Sequence, residues 1–214
     1  MTKKTDKDGP AQRLMDADAA ALAGAKPYRD TAAVRALSWY SELGDQPQML
    51  TLSGGVLALG LARRDARLAR AGLRMIAAHL LATAAKNFVK RRVDRTRPRS
   101  ARGEDGHKPR PGRNDSKEET SFPSGHSAGA VAVARAFARE YPAYRLPAHG
   151  AAGLIALAQI PRCAHYPTDV GAGIAIGLAA EALVDGVWSG LSRSGEAAGQ
   201  DLEGSQPSPR IENL

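Results

Sequence analysis

The chain has 214 residues, a formal net charge of +8, five histidines and a single cysteine. This length suits one domain with a real core, and a lone cysteine excludes an internal disulfide framework. The excess of positive charge favours anionic partners such as phosphate esters, acidic lipid headgroups or nucleic acid. Composition alone does not choose among these partners.

Both ends of the chain are polar. Residues 1 to 35 are charged and predict a weakly structured N-terminal arm, and residues 8 to 22 carry too many charges for the apolar part of a signal peptide. Residues 191 to 214 show no apolar periodicity and predict a disordered tail. The functional domain is therefore expected within residues 36 to 190.

Apolar segments separated by charged loops fill this domain and predict an all-α bundle of about five to six helices. The segments are Met49–Ala62, Ala71–Val89, Ser127–Ala138, Leu146–Ile160 and Val170–Trp188. Two of them have 19 residues, close to the roughly 20 that cross a bilayer as a helix. We therefore expect a multi-pass membrane protein. A compact soluble bundle is the alternative, because the mean hydropathy is only −0.34.

The loops between these segments fall into two groups, because helices joined by short loops tend to alternate in direction. Loops 90–126 and 161–169 then lie at one end of the bundle, and loops 63–70 and 139–145 lie at the other. The four arginines of loop 63–70 suggest that its end is cytoplasmic. The opposite end is expected to face away from the cytoplasm, although residues 90–119 contain 11 Lys/Arg against 6 Asp/Glu and weaken this argument.

The basic stretch after the second apolar segment contains Lys90 and Arg97. Together they offer a point charge and a planar guanidinium, which suit the several oxygens of one phosphoryl group. A basic run of this kind is, by itself, more often a solvated or membrane-flanking patch. It becomes informative only together with the motifs that follow.

The stretch Pro123-Ser124-Gly125-His126 predicts a tight turn followed by a helix. Unpaired backbone N–H groups at a helix N-terminus favour an anion, and glycine lets that anion approach closely. Ser124 adds a hydroxyl donor, and His126 adds a proton that can be given away near neutral pH. The alternative is a serine N-cap followed by a surface histidine.

A third stretch places Asp169 four residues after His165, just before the last apolar segment. A carboxylate at this spacing can hold one imidazole nitrogen and leave the other free as a nucleophile. Alone, such a pair is more often structural than catalytic. All three stretches, however, are predicted to lie at the same end of the bundle.

The three motifs, Lys-x6-Arg-Pro, Pro-Ser-Gly-His and His-x3-Asp, resemble those of the type 2 phosphatidic acid phosphatase and vanadium haloperoxidase superfamily. The resemblance covers roughly residues 36 to 190. It implies that His165 attacks phosphorus to form a phosphohistidine, that Asp169 orients His165, and that His126 protonates the leaving alkoxide. It also implies that Lys90, Arg97, Ser124 and the backbone of Gly125 hold the phosphate oxygens. No metal or other cofactor is expected.

One position departs from the family pattern. An arginine usually stands six residues before the nucleophilic histidine, where this chain has Gln159. Glutamine can donate a hydrogen bond but carries no charge, so a contact of about 1.5–3 kcal/mol is weakened there. Our hypothesis is that Arg162, three residues before His165, partly replaces the missing guanidinium. His79 and His149, in apolar segments, are expected to be core or interfacial.

The leading functional prediction is a membrane phosphatase that acts on a lipid phosphate or an isoprenoid diphosphate such as undecaprenyl diphosphate, with membrane lipids around it. Alternatives are a vanadate-dependent haloperoxidase, less expected for so short a chain, and a catalytically weakened anion-binding membrane protein. Nucleic acid is not an expected partner, because no aromatic residue interrupts the basic residues of 90–113 to stack on bases. The particular lipid and the oligomeric state stay open.

Overall fold

The structure, a computed structural model, describes residues 9–101, 108–114 and 116–204. Within them the chain forms seven α-helices: α1 (Pro10–Ala25), α2 (Ala32–Ser41), α3 (Gln46–Ala62), α4 (Ala66–Lys90), α5 (Gly125–Glu140), α6 (Arg145–Ala158) and α7 (Pro167–Gly204). Two short strands in the loop after α4, β1 (Val93–Asp94) and β2 (Arg110–Pro111), pair in antiparallel register with Val93 opposite Pro111. The all-α prediction is confirmed, and the five apolar segments correspond to α3 through α7.

The predictions for the two ends of the chain need correction where the structure describes them. The predicted weakly structured arm contains α1, which begins with Pro10 in its first turn and is rich in the good helix former alanine. Sequence polarity hid this helix because its buried contact is a charged residue, Asp18. The predicted disordered tail is also wrong for residues 191–204, which continue α7. Residues 1–8 and 205–214 lie outside the described residues.

Helix α5 lies at the centre of the bundle and packs against α4, α6 and α7. Its buried positions are mostly alanine and glycine, so neighbouring helices can approach its backbone closely. A Cβ at Gly173 of α7 would lie 2.4 Å from Ser124 O, and one at Gly177 would lie 2.5 Å from Ala128 O. Two glycines four residues apart therefore bring α7 directly onto the first turns of α5.

This close packing fixes the start of α7 beside the start of α5. The backbone N–H of Ser124 donates to the backbone oxygen of Asp169 at 3.0 Å. The second and third sequence motifs are therefore joined by a main-chain hydrogen bond. The end of the bundle that carries the motifs is thus held by backbone contacts as well as by side chains.

Charged residues that interrupt the apolar segments are paired toward the other end of the bundle. Arg135 Nε donates to Glu181 Oε2 at 2.8 Å, and Glu181 is 1% exposed. Arg74 contacts Asp185 and lies 3.3 Å from Glu140 Oε1. These pairs satisfy charges that an apolar interior or a bilayer would otherwise penalise.

One described helical segment, Pro167–Ser194 within α7, is long and apolar enough to cross a bilayer, with a mean hydropathy of 1.6. Of its most apolar 18-residue window, 28% is buried inside the protein, so most of this surface faces outward. Helices α3, α5 and α6 have 17, 16 and 14 residues, short of the roughly 20 that a bilayer requires. Multi-pass insertion therefore stays a prediction.

Candidate active site

A cavity of about 210 Å³ opens where α4 ends and α5 begins. Its walls include the predicted site residues Lys90, Arg97, Gly125, His126, Gln159, Arg162 and His165. The three sequence motifs therefore meet at one place, as the alternating helix directions predict. Ser124 and Asp169 are fully buried and lie behind this wall rather than on it.

His165 lies in the loop before α7 and is 1% exposed. Its Nδ1 is 3.6 Å from Asp169 Oδ2, which places the carboxylate on the side of the ring away from Nε2. Burial lowers the pKa of His165 to about 4, and the nearby charges of Arg97 and Lys90 act in the same direction while Asp169 opposes them. The imidazole is therefore neutral at neutral pH and keeps a free lone pair.

Asp169 is held by groups on every side. Its Oδ2 accepts from Tyr166 N at 2.9 Å and from the hydroxyl of Ser121, and its Oδ1 accepts from Arg95 Nη1 at 2.6 Å. With this many donors the carboxylate is fixed as an anion in one orientation. Such an arrangement suits a group that orients His165.

Arg95 is the principal site residue that the sequence analysis missed. Its guanidinium is 1% exposed, and it also donates to Asp18 Oδ2 at 2.7 Å and to Thr168 Oγ1 at 2.7 Å. Asp18 in turn accepts from Thr168 N at 3.0 Å, at the N-terminus of α7. Helix α1 is thereby fastened to the site. The sequence offered no signal, because Asp18 and Arg95 are 77 positions apart.

His126 occupies the first turn of α5, where Ser124 is the N-cap and accepts from Ser127 N at 3.4 Å. Burial lowers the pKa of His126 to about 3, and the charges of Arg162 and His165 add to this effect. A bound phosphate would favour the protonated imidazole and raise that pKa. The Ser124 hydroxyl is engaged with Ser127, so a contact with phosphate stays a prediction for it.

Six cations line the described walls of the cavity: Lys86, Lys90, Arg97, Arg99, Lys117 and Arg162. Lys90 Nζ donates to Thr120 O at 2.7 Å and has further N–H donors available. Burial lowers the pKa of Lys90 to about 7, with Arg97 and Lys86 contributing. Burial also lowers the pKa of Arg97, whose Nε donates to Lys117 O at 2.7 Å. This concentration of positive charge suits a multiply charged anion.

Lys86 and His79 were also missed as members of the cavity wall. The expectation that His79 is a core or interfacial residue is confirmed by its 2% exposure, and His79 also lines the cavity, whereas His149 is exposed and is not a core residue. A Cβ at Gly125 would lie 3.1 Å from Lys86 Cδ, so glycine at this position leaves room for the lysine. Both residues lie on α4, about one and three turns before Lys90, and a helical projection toward the cavity is the signal that could have found them.

Gln159 reaches the cavity wall, and its role as a donor to phosphate stays a prediction. It is fully buried, and its Nε2 donates to Ile155 O at 2.9 Å, which fixes the orientation of the amide. Its Oε1 finds no hydrogen-bond partner among the described residues. Arg162 does reach the cavity, where Nη1 contacts Ser41 Oγ and Nη2 contacts Glu42 Oε1, each at 2.5 Å.

Two carboxylates at the cavity wall, Glu42 and Asp45, were not anticipated. Asp45 Oδ1 lies 2.9 Å from His126 Nε2, and one ligand atom from each of the three residues lies within 4.8 Å of the others. Burial raises the pKa of Asp45, and Glu42 adds to this. Burial alone would raise the pKa of Glu42 as well, but Arg162 lowers it overall. Three ligand atoms at these distances could bind a metal ion, but the six cationic side chains around them repel one.

The family model described as the PAP2 superfamily matches residues 71–188, which contain all three motifs and both histidines. The chain belongs to the PAP2 superfamily. The resemblance of the motifs to this superfamily is thereby confirmed. Asp18, Glu42 and Asp45 precede the matched residues, so these parts of the site come from outside the common PAP2 region.

Among curated relatives, decaprenylphosphoryl-5-phosphoribose phosphatase of Mycobacterium tuberculosis strain H37Rv is 33% identical over 144 residues. The alignment covers 65% of this chain and 71% of that protein. The protein of strain CDC 1551 with the same name matches to the same extent.

Two solved structures share the fold. The transmembrane PAP2 type phosphatidylglycerolphosphate phosphatase from Bacillus subtilis has a TM-score of 0.60 and 22% identity, with 86% of this chain and 89% of that chain covered. LpxE of Aquifex aeolicus has a TM-score of 0.55 and 20% identity, with 76% and 91% covered. At these identities the similarity establishes the PAP2 fold alone.

Proposed function

We propose that this PAP2 protein is a phosphatase that hydrolyses the phosphate ester of a lipid phosphate through a phosphohistidine at His165. The observation that carries the proposal is that a neutral, buried His165 and His126 line the same cavity as six cations. Phosphoryl transfer needs little from a protein beyond positioning and charge stabilisation, and this cavity supplies both.

In the first step, His165 Nε2 attacks phosphorus while Asp169 holds the opposite face of the ring. A P–N bond forms and the P–O bond to the alcohol breaks. His126 gives its proton to the departing oxygen, so that a neutral alcohol leaves. The cations stabilise the charge on the three equatorial oxygens as the phosphoryl group moves.

In the second step, water attacks the phosphohistidine. His126, now neutral, takes a proton from the water, the P–N bond breaks, and inorganic phosphate leaves with His165 restored. The buried position of His165 keeps its imidazole unprotonated between turnovers. His126 therefore acts as an acid in the first step and as a base in the second, while His165 is first the nucleophile and then the leaving group.

A lipid substrate is supported by the apolar surface of α7 and by the names of relatives that act on a decaprenylphosphoryl-5-phosphoribose and on phosphatidylglycerolphosphate. The cavity lies at the start of α7, so a tail could follow this helix while the phosphate enters the site. In our proposal the protein is membrane-embedded, with the cavity facing away from the cytoplasm. An isoprenoid diphosphate is the second substrate class for the same chemistry.

The test is release of inorganic phosphate from a short-chain phosphatidic acid by detergent-purified protein. His165→Ala should abolish release, whereas His149→Ala, which removes an exposed histidine on α6, should behave as the wild type. When a reaction with substrate labelled in its phosphate is quenched in alkali, labelled phosphate should stay bound to the wild-type protein. The His165→Ala protein should carry no label. Undiminished release by His165→Ala would disprove the mechanism.

Halide oxidation with added vanadate, without phosphate release, would favour the haloperoxidase alternative. Tight phosphate binding without turnover would favour the anion-binding protein.

A further inference from the structure

We infer that the cavity contains a subsite for a hydroxyl-bearing leaving group, formed by the carboxylates of Asp45 and Glu42 beside His126. The alcohol released would then be a sugar or a similar polyol rather than a plain alkyl alcohol. This inference rests on the proposed function and assigns a substrate class to the same site.

The position of Asp45 places it next to the leaving group. A general acid must lie within about 3 Å of the oxygen that it protonates. Asp45 Oδ1 lies 2.9 Å from His126 Nε2. A carboxylate oxygen of Glu42 lies within 4.8 Å of the ligand atoms of Asp45 and His126. Any alcohol that receives the proton of His126 therefore brings its neighbouring atoms within reach of both carboxylates.

Asp45 is turned toward this position and away from its ordinary structural role. It is the N-cap residue of α3, yet its side chain caps no helix N–H. Asp65, the N-cap residue of α4, shows the usual arrangement and accepts from Leu68 N at 3.0 Å. Glu42 is fixed in turn by Arg162 at 2.5 Å. The two carboxylates are therefore oriented at the cavity, and neither serves to cap α3.

The cavity also contains hydrogen-bond acceptors that a phosphate cannot use. A phosphate dianion has acceptor oxygens only, and the cations already serve them. Asp45 and Glu42 are acceptors as well, and they line the same cavity as Gln159, whose Oε1 finds no hydrogen-bond partner among the described residues. A carboxylate accepts several hydrogen bonds, so Asp45 and Glu42 can accept from the hydroxyl groups of a polyol besides their contacts with His126 and Arg162.

A divalent cation is the competing occupant of the Glu42, Asp45 and His126 group. The positive charges of Lys86, Arg162 and the other cationic side chains on the wall repel a metal ion at this group, whereas a neutral hydroxyl is not repelled. The cavity of about 210 Å³ corresponds to roughly seven waters at about 30 Å³ each, more than the atoms of a phosphate group need. Space therefore remains for part of the leaving group.

The experiment compares two phosphate esters that differ only in hydroxyl groups, ribose 5-phosphate and tetrahydrofurfuryl phosphate. We expect wild-type protein to prefer ribose 5-phosphate in kcat/KM by about tenfold or more, the effect of a hydrogen bond to a charged acceptor. Asp45→Ala should bring this ratio close to one. The matched variant Asp65→Ala, which removes the same residue type from a helix N-cap at the other end of the bundle, should keep the wild-type ratio.

The same two esters are also measured as competitive inhibitors of phosphatidic acid hydrolysis, so that a requirement for a lipid tail does not conceal the preference. Equal constants for the two esters, or a ratio that Asp45→Ala leaves intact, would overturn the subsite. A preference that disappears on adding EDTA would overturn it in favour of a bound cation. Absence of phosphate release from phosphatidic acid and from both esters would instead contradict the proposed function itself.

Discussion

Arg95 and Asp169 form a buried ion pair, with Arg95 Nη1 2.6 Å from Asp169 Oδ1 and both side chains at most 1% exposed. The other terminal nitrogen of the same guanidinium holds Asp18 on α1. The orientation of the carboxylate beside His165 therefore depends on a helix near the start of the chain. Breaking a buried ion pair by removing one partner costs about 3–5 kcal/mol, so this link has measurable consequences.

Asp18→Ala should lower both stability and activity. It removes one of the two carboxylates that contact Arg95 within the described residues, and it removes the acceptor for Thr168 N, so we expect a loss of about 3 kcal/mol in the free energy of unfolding. The expected fall is in kcat more than in KM, because in our proposal Asp169 orients His165, and Asp169 does not line the cavity. Thermal unfolding and phosphate release measure the two effects. Asp16→Ala, an exposed carboxylate on the same helix, is the control, and equal melting of the two variants would contradict the role of Asp18.

Phosphate binding should weaken as the pH rises through neutrality. Burial lowers the pKa of Lys90 to about 7, so the ammonium is charged below this pH and neutral above it. KM should therefore rise on the alkaline side, and kcat should change less, because bound phosphate favours the charged lysine. Lys90→Arg, which stays charged, should move this rise to higher pH. If KM rises at the same alkaline pH in the wild type and in Lys90→Arg, the titrating group is not Lys90.

Arg162→Ala tests whether this residue compensates for Gln159. If Arg162 contacts phosphate, its loss removes a charged hydrogen bond of about 1.5–3 kcal/mol and should raise KM by roughly ten- to a hundredfold. Arg162→Lys should restore part of the affinity through charge, without the planar geometry. Kinetics with a phosphatidic acid measure both. If Arg162→Ala keeps the wild-type turnover and affinity, the compensation hypothesis is wrong.

Gly173→Ala should disturb the site through the packing of α7 on α5. The added Cβ would lie 2.4 Å from the backbone oxygen of Ser124, which cannot rotate away as a flexible side chain can. Overpacking of this kind costs about 1–3 kcal/mol, and here it also pushes Asp169 away from its partners. Gly171→Ala, on the same helix with nothing within 4 Å of the added atom, is the control. Equal stability and activity of the two variants would contradict this account of the helix contact.

The sequence identified the helices that are apolar and the site residues that lie in contiguous motifs. Lys90, Arg97, His126 and His165 could be predicted to converge because alternating helix directions place their loops at one end. Helix α1 could not be predicted in the same way, since its buried contact is the charged side chain of Asp18 and not an apolar stripe. Hydrophobic periodicity does not detect a helix of this kind.

The local sequence by itself therefore determined the fold class, the superfamily and the histidines, because periodicity and motif spacing are properties of short stretches of chain. Only the tertiary structure decided that Asp18 and Arg95 hold Asp169, and that Glu42 and Asp45 lie beside His126. Each of these is a pairing of charged groups between segments that are far apart in the sequence. Such pairings depend on how the helices pack, and no spacing along the chain encodes them.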